Sequence, residues 1–275
     1  MNLVSAVLIT FAVAGVAVGV MLFVRRRAPA GSVFEDGDRA AGVFGVLATG
    51  FAILLGLIVF LAFTSYDQSR SGAETEALLV VQQYETAQFM PVEVRERLGG
   101  QVICYGRSVV HQEWPALEAG TRVEGFNPWG IELFRTLKTV DPQTASEQAA
   151  YDKWLDNHAD REQARSDRIH GAVGVIPAPL WIVLFFISAV IFAFMLLFAD
   201  SGERWYAQAM LMGSVVAVIT ATLLLIRVLD EPIQAGFGGL RPVAMQRSLT
   251  ILDQERQFAG DHAPLPCDAN GAPTR

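Results

Sequence analysis

The four histidines are the side chains best able to bind a metal or move a proton near neutral pH. They are His111, His158, His170 and His262, and no pair shows the HExxH spacing of a zinc hydrolase. A Walker loop and a GxSxG nucleophile elbow are also missing from the sequence. We therefore predict no catalytic residue, no metal site and no cofactor, so the protein is not expected to be an enzyme. A triad assembled from distant residues is the alternative that motifs leave open.

The two cysteines, Cys104 and Cys267, are too few for a disulfide scaffold. Neither has a second cysteine close enough in the sequence for a redox or zinc motif. We expect two free thiols, with a single disulfide between them as the alternative.

Glycines and phenylalanines recur along the apolar run from Ala40 to Thr64. The glycines let another helix approach closely, and the phenylalanines could form an apolar constriction. This pattern predicts a pore lined by Phe44, Thr49, Phe51, Phe60 and Phe63. Ordinary helix packing is the alternative interpretation.

Charged residues follow the last apolar run, where Arg227 precedes Asp230 and Glu231 by three and four positions. They either line a pore mouth or form a local ion pair at the membrane edge. Small residues elsewhere predict helix packing: Gly15 and Gly19 form a GxxxG step, and Gly45 and Gly56 lie on the second run.

Four apolar runs dominate the chain and have the length that a bilayer of roughly 30 Å requires. Together with 52% hydrophobic and only 18% charged residues, they predict an all-α integral membrane protein. The predicted spans are Leu3–Val24, Ala40–Thr64, Gly171–Ala199 and Trp205–Leu229.

A polar stretch of about a hundred residues between spans two and three is long enough for a small domain. Asn127-Pro128 and Asp141-Pro142 are typical of helix starts, whereas Gly99-Gly100 is a candidate helix break. Tyr105 and Trp114 are expected in the core. A further set of residues, Glu74, Glu76, Glu85 and Glu113, is expected to form a solvated face, with an acidic vestibule as the alternative.

These features predict five segments along the chain. Residues 1–64 hold spans one and two, residues 65–170 a helical extramembrane domain, and residues 171–230 spans three and four. Residues 231–259 are expected to form an amphipathic helical region, and residues 260–275 a disordered tail.

Four spans place both chain ends and the helical domain on one side of the membrane. The cluster Arg25 to Arg27 favours a cytoplasmic loop after span one, which would export the domain to the periplasm or cell exterior. Arg161, Arg165 and Arg168 before span three, with Arg227 and Arg241 around span four, favour the opposite orientation. We expect a multi-pass protein of the bacterial inner membrane with an exported domain.

At several separated positions, the sequence resembles the bestrophin-like bacterial membrane proteins, a family classed under a domain of unknown function. The matching residues are Ala41-Gly42-Val43-Phe44-Gly45-Val46-Leu47, Leu54-Leu55-Gly56, Glu74 and Glu76, Tyr105, Glu113-Trp114-Pro115, Arg168, Pro177, Trp181 and Leu229-Asp230-Glu231-Pro232. The chain departs from the family after Pro232, where Ile233-Gln234 precedes Phe237. Kinship to true bestrophins implies a pentameric anion channel whose second helices line the pore and whose large domain is cytoplasmic.

The sequence and this resemblance together predict a homo-oligomeric, channel-like protein with a passive anion pathway lined by the second span. The alternative is a non-conducting scaffold or accessory subunit that binds other membrane proteins. The formal net charge of -7 and the absence of a basic stripe argue against nucleic acid as a partner. The lipid bilayer is the remaining expected partner.

Overall fold

The computed structural model describes residues 3–27, 37–121, 123, 125–172, 174–233, 238–260 and 263–274. His262, and Gln234 and Phe237 in the loop after span four, lie outside the described residues.

The described residues are helical apart from turns and one isolated bridge between Cys267 and Pro273. This confirms the predicted all-α class. The helices are α1 (Leu3–Arg25), α2 (Gly37–Ala87), α3 (Val92–Ser108), a π-helical turn (Val109–Glu113), α4 (Trp114–Glu118), α5 (Pro128–Leu137), α6 (Ala145–His170), α7 (Ala178–Leu197), α8 (Trp205–Asp230) and α9 (Val243–Ala259).

Four of these helices, α1, α2, α7 and α8, are long and apolar enough to cross a membrane. The chain divides into two compact units, a membrane unit within residues 1–65, 174–230 and 236–238, and a helical domain within residues 66–173, 231–235 and 239–275. Helix α2 is a single helix of 51 residues that contributes to both units.

In the membrane unit, α2 packs against α7 and α8 through Phe51, Ile58, Leu184, Ile191 and Ile226, all of which are buried. Helix α1 packs along α8, and a Cβ built on Gly213 would lie 3.3 Å from the Val18 side chain. Since lipid tails are as apolar as these side chains, close van der Waals packing is what holds such helices together.

The third span begins later than the sequence predicts. Helix α7 starts at Ala178, because Pro177 is extended (φ -62°, ψ 145°) and the backbone before it is hydrogen-bonded to Asp230. The buried Asp230 carboxylate accepts hydrogen bonds from Val175 N at 2.7 Å and Ile176 N at 3.0 Å. These bonds satisfy backbone donors just before α7, as an N-terminal cap does.

The helical domain is built around α3, whose core residues include Leu98, Val102 and Tyr105, each 0% exposed. The predicted break at Gly99-Gly100 is wrong, because both glycines lie inside α3. They permit close packing instead: a Cβ at Gly99 would meet the Tyr84 ring at 3.1 Å, and one at Gly100 would meet Pro266 at 3.0 Å.

Side-chain caps start two helices of the domain. Asn127 caps α5 as predicted, with its Oδ1 accepting a hydrogen bond from Trp129 N at 2.9 Å. The predicted start at Asp141-Pro142 is wrong, because α6 begins at Ala145 behind Thr144. Thr144 and Glu147 form a capping box, which satisfies more backbone donors than proline at a first helical position would.

The predicted free thiols and disordered tail are also wrong. Cys104 on α3 forms a disulfide with Cys267, with Cα atoms 5.8 Å apart. Beyond it, Trp129 Nε1 donates to Gly271 O at 2.7 Å and Gln112 Nε2 donates to Asn270 O at 3.0 Å. Covalent and hydrogen bonds therefore hold a segment whose composition alone suggests disorder.

Candidate functional site

A cluster of buried charges lies inside the helical domain, and α6 supplies its cations. Arg161, Arg165 and Arg168 are spaced by four and three residues, so they share one face of that helix. Arg161 and Arg168 are 0% exposed, and Arg165 is 7% exposed. Charges at this depth persist only when they are paired and hydrogen-bonded.

Arg168 lies between two carboxylates that come from other elements. Its Nε donates to Glu76 Oε2 on α2 at 2.5 Å, and its Nη2 donates to Glu113 Oε2 at 2.6 Å. Burial acts to lower the pKa of the Arg168 guanidinium, but the charges of Glu76 and Glu113 outweigh it and raise that pKa. Arg168 is therefore permanently charged and joins α2, α6 and the π-helical turn.

Glu113 is positioned by the π-helical turn, an irregularity common at functional positions. Its Oε1 accepts from Arg165 Nη2 at 2.9 Å and from Asn127 Nδ2 at 2.8 Å. Burial acts to raise the pKa of Glu113, but the charges of Arg168 and Arg165 and their hydrogen bonds lower it below the ordinary glutamate value. Glu113 is thus ionised and bound by donors from two elements.

Tyr105 extends the cluster into the core of the domain. Its hydroxyl donates to Glu76 Oε1 at 2.5 Å, and the Arg161 guanidinium lies 4.2 Å from the centre of its ring. Arg161 also donates to Gln83 Oε1 at 2.8 Å and forms a salt bridge with Glu162. Burial, and then the charge of Glu76, raise the pKa of Tyr105, so its hydroxyl stays protonated and donates.

The charges of this cluster balance, since three arginines face Glu76, Glu113 and Glu162. In the part of the chain that the structure describes, no three potential metal ligands lie together. The solvated face expected for the glutamates is wrong for Glu76 and Glu113, which are buried against arginine. The arrangement is suited to locking helices in register rather than to catalysis or ion binding.

The predicted pore-lining residues divide between two faces of α2. Phe44 contacts the rings of Phe194 and Phe198 on the α7 side, and Phe51 is only 4% exposed. By contrast, Thr49 is exposed, and Phe60 and Phe63 are 61% and 53% exposed. The structure therefore does not bring the five residues to one surface, and Phe44 and Phe51 belong to the packing face.

The exposed face of α2 is also where its small residues lie. A Cβ built on Gly42, Gly45 or Gly56 would meet no atom within 4 Å, and the same is true of Gly15 and Gly19 on α1. These glycines therefore make no close helix contact within the subunit. The close α1–α8 approach occurs at Gly213, which the sequence pattern did not single out.

The predicted pore-mouth residues have different surroundings. Arg227 is exposed, whereas Asp230 is 2% exposed and binds the backbone before α7. Glu231 lies in the helical domain by its packing. Asp230 therefore binds the backbone that precedes α7, and this use of its carboxylate does not require a pore.

A profile of the Bestrophin-like domain matches residues 11–239, most of the chain. The chain belongs to the bestrophin-like family. Solved structures agree with this assignment at the level of fold. A bacterial bestrophin homologue from Klebsiella pneumoniae matches with a TM-score of 0.65 at 13% identity, covering 94% of this chain and 99% of its own. No curated protein sequence matches the chain.

Two further structures give the same result. A second structure of the Klebsiella pneumoniae homologue matches with a TM-score of 0.59 at 12% identity, covering 95% of this chain and all of its own. A structure described as a membrane protein matches with a TM-score of 0.66 at 13% identity, over 95% of this chain and 100% of its own. The resemblance stated from the sequence motifs is confirmed.

In this bestrophin-like protein, the buried cluster is the feature that sequence reasoning missed. From the sequence, Arg161 and Arg165 were interpreted only as membrane-flanking charges, and Arg168 as such a charge and as one match to the family. Their helical spacing on one face of a predicted helix was the available signal, since three cations so arranged require acidic partners. Nothing in the sequence indicated that Glu76 and Glu113 supply them.

Replacing Arg168 by methionine should destabilise the helical domain by about 3–5 kcal/mol, because the Glu76 carboxylate would lose its paired cation while remaining buried. Thermal unfolding of the detergent-extracted protein, followed by circular dichroism, measures the change. Arg70→Met is the matched control, since Arg70 pairs with Glu74 on the exposed surface of α2 and its loss should leave the melting temperature unchanged.

Adding Glu76→Gln to Arg168→Met should recover part of the lost stability, because the unpaired charge is then removed. Equal melting temperatures for Arg168→Met and the wild type would show that the cluster does not hold the domain together.

Acid should weaken the domain through Glu113, whose pKa is lowered by folding. A carboxylate of this kind contributes stability that is fully present above the unfolded pKa of about 4.3 and is lost as the pH falls through the lower folded value. Melting temperatures measured from pH 6 to pH 3 should fall less steeply for Glu113→Gln than for the wild type. Parallel curves would contradict this assignment.

Proposed function

We propose that this protein is a homo-oligomeric, channel-like membrane protein in which copies of α2 surround a passive pathway for anions. The observation that carries the proposal is the exposed face of α2. This face combines Gly42, Gly45 and Gly56, which meet nothing within the subunit, with the exposed rings of Phe60 and Phe63.

A face of this composition suits contact with other copies around an axis. Glycines let helix backbones approach closely in a membrane, where packing rather than water exclusion drives association. Exposed phenylalanines at one level of a helix ring can form an apolar constriction that gates by dewetting. Membership of the bestrophin-like family and a fold shared with a bestrophin homologue support this arrangement.

Passive flow fits the sequence of the span better than coupled transport does. Residues 40–64 contain no acidic or basic side chain. Ion-coupled transporters and proton pumps use ionisable residues inside the membrane, so a relay through this span is disfavoured. The choice of an anion rests on the resemblance to bestrophins.

We also propose that the helical domain lies outside the cytoplasm. The Cys104–Cys267 disulfide is the main support, since structural disulfides persist in oxidising compartments and are rare in the cytosol. The cluster Arg25 to Arg27 follows the first span in a short loop, where positive charges favour the cytoplasmic side. The opposing arginines, 161 to 168, belong to a segment of about a hundred residues, and long segments cross the membrane largely regardless of charge.

The channel proposal is tested by particle mass and then by flux. Light scattering and image averages of the detergent-extracted protein should show a closed ring with a central axis. Reconstituted into liposomes, that ring should pass chloride, and Phe60→Ala or Phe63→Ala should increase the flux by widening an apolar constriction. Phe186→Ala is the control, because Phe186 is equally exposed on α7 but lies on a different span.

Flux that is unchanged in both variants would show that this face of α2 does not gate the path. A single copy per particle would leave no shared axis and would favour the accessory-subunit alternative.

The orientation is tested with introduced cysteines in the full chain, whose native thiols are bonded to each other and do not react. A membrane-impermeant maleimide applied to intact bacteria should label Phe258→Cys, because Phe258 is 92% exposed on α9. Ser201→Cys, in the exposed turn between α7 and α8, should be labelled only after permeabilisation. The reverse pattern would place the domain in the cytoplasm.

A further inference from the structure

A cavity of about 320 Å³ lies in the membrane unit beside the turn between α7 and α8. Its walls are apolar except for Glu203 and Gln208. The apolar lining consists of Met21, Ala41, Phe44, Met195, Phe198, Ala199, Leu211 and Met212. Leu211 is 61% exposed, so the cavity opens on the lateral surface of the helices. This size is typical of sites for small ligands or parts of lipids.

The polar side chains of the cavity leave one buried acceptor without a donor. Gln208 is 9% exposed, and its Nε2 donates to Glu203 Oε2 at 2.8 Å. The buried Oε1 of the same amide has no hydrogen-bond partner. Because a carboxylate can only accept, the amide must direct its NH₂ group toward Glu203 and its oxygen away from it. A buried acceptor without a donor is costly, so this position favours a ligand that supplies a hydrogen-bond donor.

Within the described residues, no arginine forms a salt bridge with the Glu203 carboxylate. The nearby Arg25 instead binds backbone carbonyls, with Nε donating to Asp200 O at 2.9 Å and Nη2 donating to Ser201 O at 3.0 Å. Arg25 also donates to the carbonyl oxygen of Glu203. It thereby fixes the α7–α8 turn without forming a salt bridge to the carboxylate, which leaves the carboxylate able to accept further hydrogen bonds.

We propose that this cavity binds a phospholipid with a primary-ammonium headgroup, of the phosphatidylethanolamine class. The ammonium has three N–H donors, enough for Glu203 and for Gln208 Oε1. The upper part of an acyl chain packs against the apolar lining. Trp205 and Tyr206 begin α8 beside the site, at the level where aromatic residues meet the lipid headgroups. This binding is independent of whether the protein conducts.

The residues that line the cavity favour a lipid over a soluble amine. Eight of the ten lining residues are apolar, and one of them, Leu211, is 61% exposed on a helix long and apolar enough to cross a membrane. A choline headgroup has the same charge but no N–H donor, so it cannot satisfy Gln208 Oε1. An anionic headgroup without an ammonium is repelled by Glu203. Specificity therefore rests on hydrogen bonding to nitrogen.

The test uses the detergent-extracted protein with defined lipids. Native mass spectrometry should show phosphatidylethanolamine retained with roughly tenfold higher apparent affinity than phosphatidylcholine of the same chains, the difference expected from hydrogen bonds to a charged donor. Gln208→Leu and Glu203→Gln should each reduce this preference to about threefold or less. Ser214→Ala is the control, because Ser214 lies on α8 outside the cavity and bonds its own backbone.

Gln208→Asn keeps an amide, with a donor for Glu203 and an acceptor for the ligand, and should retain part of the preference, which separates ligand recognition from loss of folding. Equal retention of the two lipids by the wild type would overturn the proposal. A preference that survives both Gln208→Leu and Glu203→Gln would also overturn it. Displacement by millimolar free ethanolamine would assign the site to a soluble amine, and crosslinking of Leu211→Cys to a second copy would assign the cavity to a subunit contact.

Discussion

Arg168 is held between Glu76 and Glu113 with no exposed surface, and neither carboxylate can be withdrawn without leaving a charge in the core. Apolar contacts tolerate small shifts, because any neighbouring methyl group can replace another at modest cost. A buried guanidinium does not tolerate such shifts, since its N–H donors require acceptors in fixed directions. This one residue therefore determines the register of α2, α6 and the π-helical turn within the helical domain.

Other groups in the domain depend on that register. Tyr105 can donate to Glu76 only if α3 lies beside α2 at the same level, and Asn127 reaches Glu113 while capping α5. Such networks are stable when every member is satisfied and costly when one is lost. The domain thus gains specificity for one arrangement of helices, whereas its apolar residues supply most of the driving force for burial.

The spans and the helical class were predictable, because hydrophobic length and the absence of charge need no tertiary information. The Asn127 cap was also predictable, since its signal is local. The pairings between residues far apart in the sequence were not predictable. Glu76 and Arg168 are 92 residues apart, and Cys104 and Cys267 are 163 apart. The faces of α2 were only partly predictable, because phenylalanine suits both packing and lipid exposure, and Phe51 and Phe60 differ only in what the rest of the fold places beside them.

The positions of the two cysteines in the chain determine when the disulfide can form. Cys267 follows all four spans, and Cys104 precedes two of them. In the exported orientation proposed above, the bond can form only after span four has inserted and the tail has crossed the membrane. In the folded domain, Gly271 fits against the Ser108 backbone of α3, where a side chain would clash. Closure of so long a loop removes unfolded conformations, by a chain-entropy argument worth several kcal/mol. The covalent bond therefore stabilises the same arrangement of helices that the charge cluster specifies.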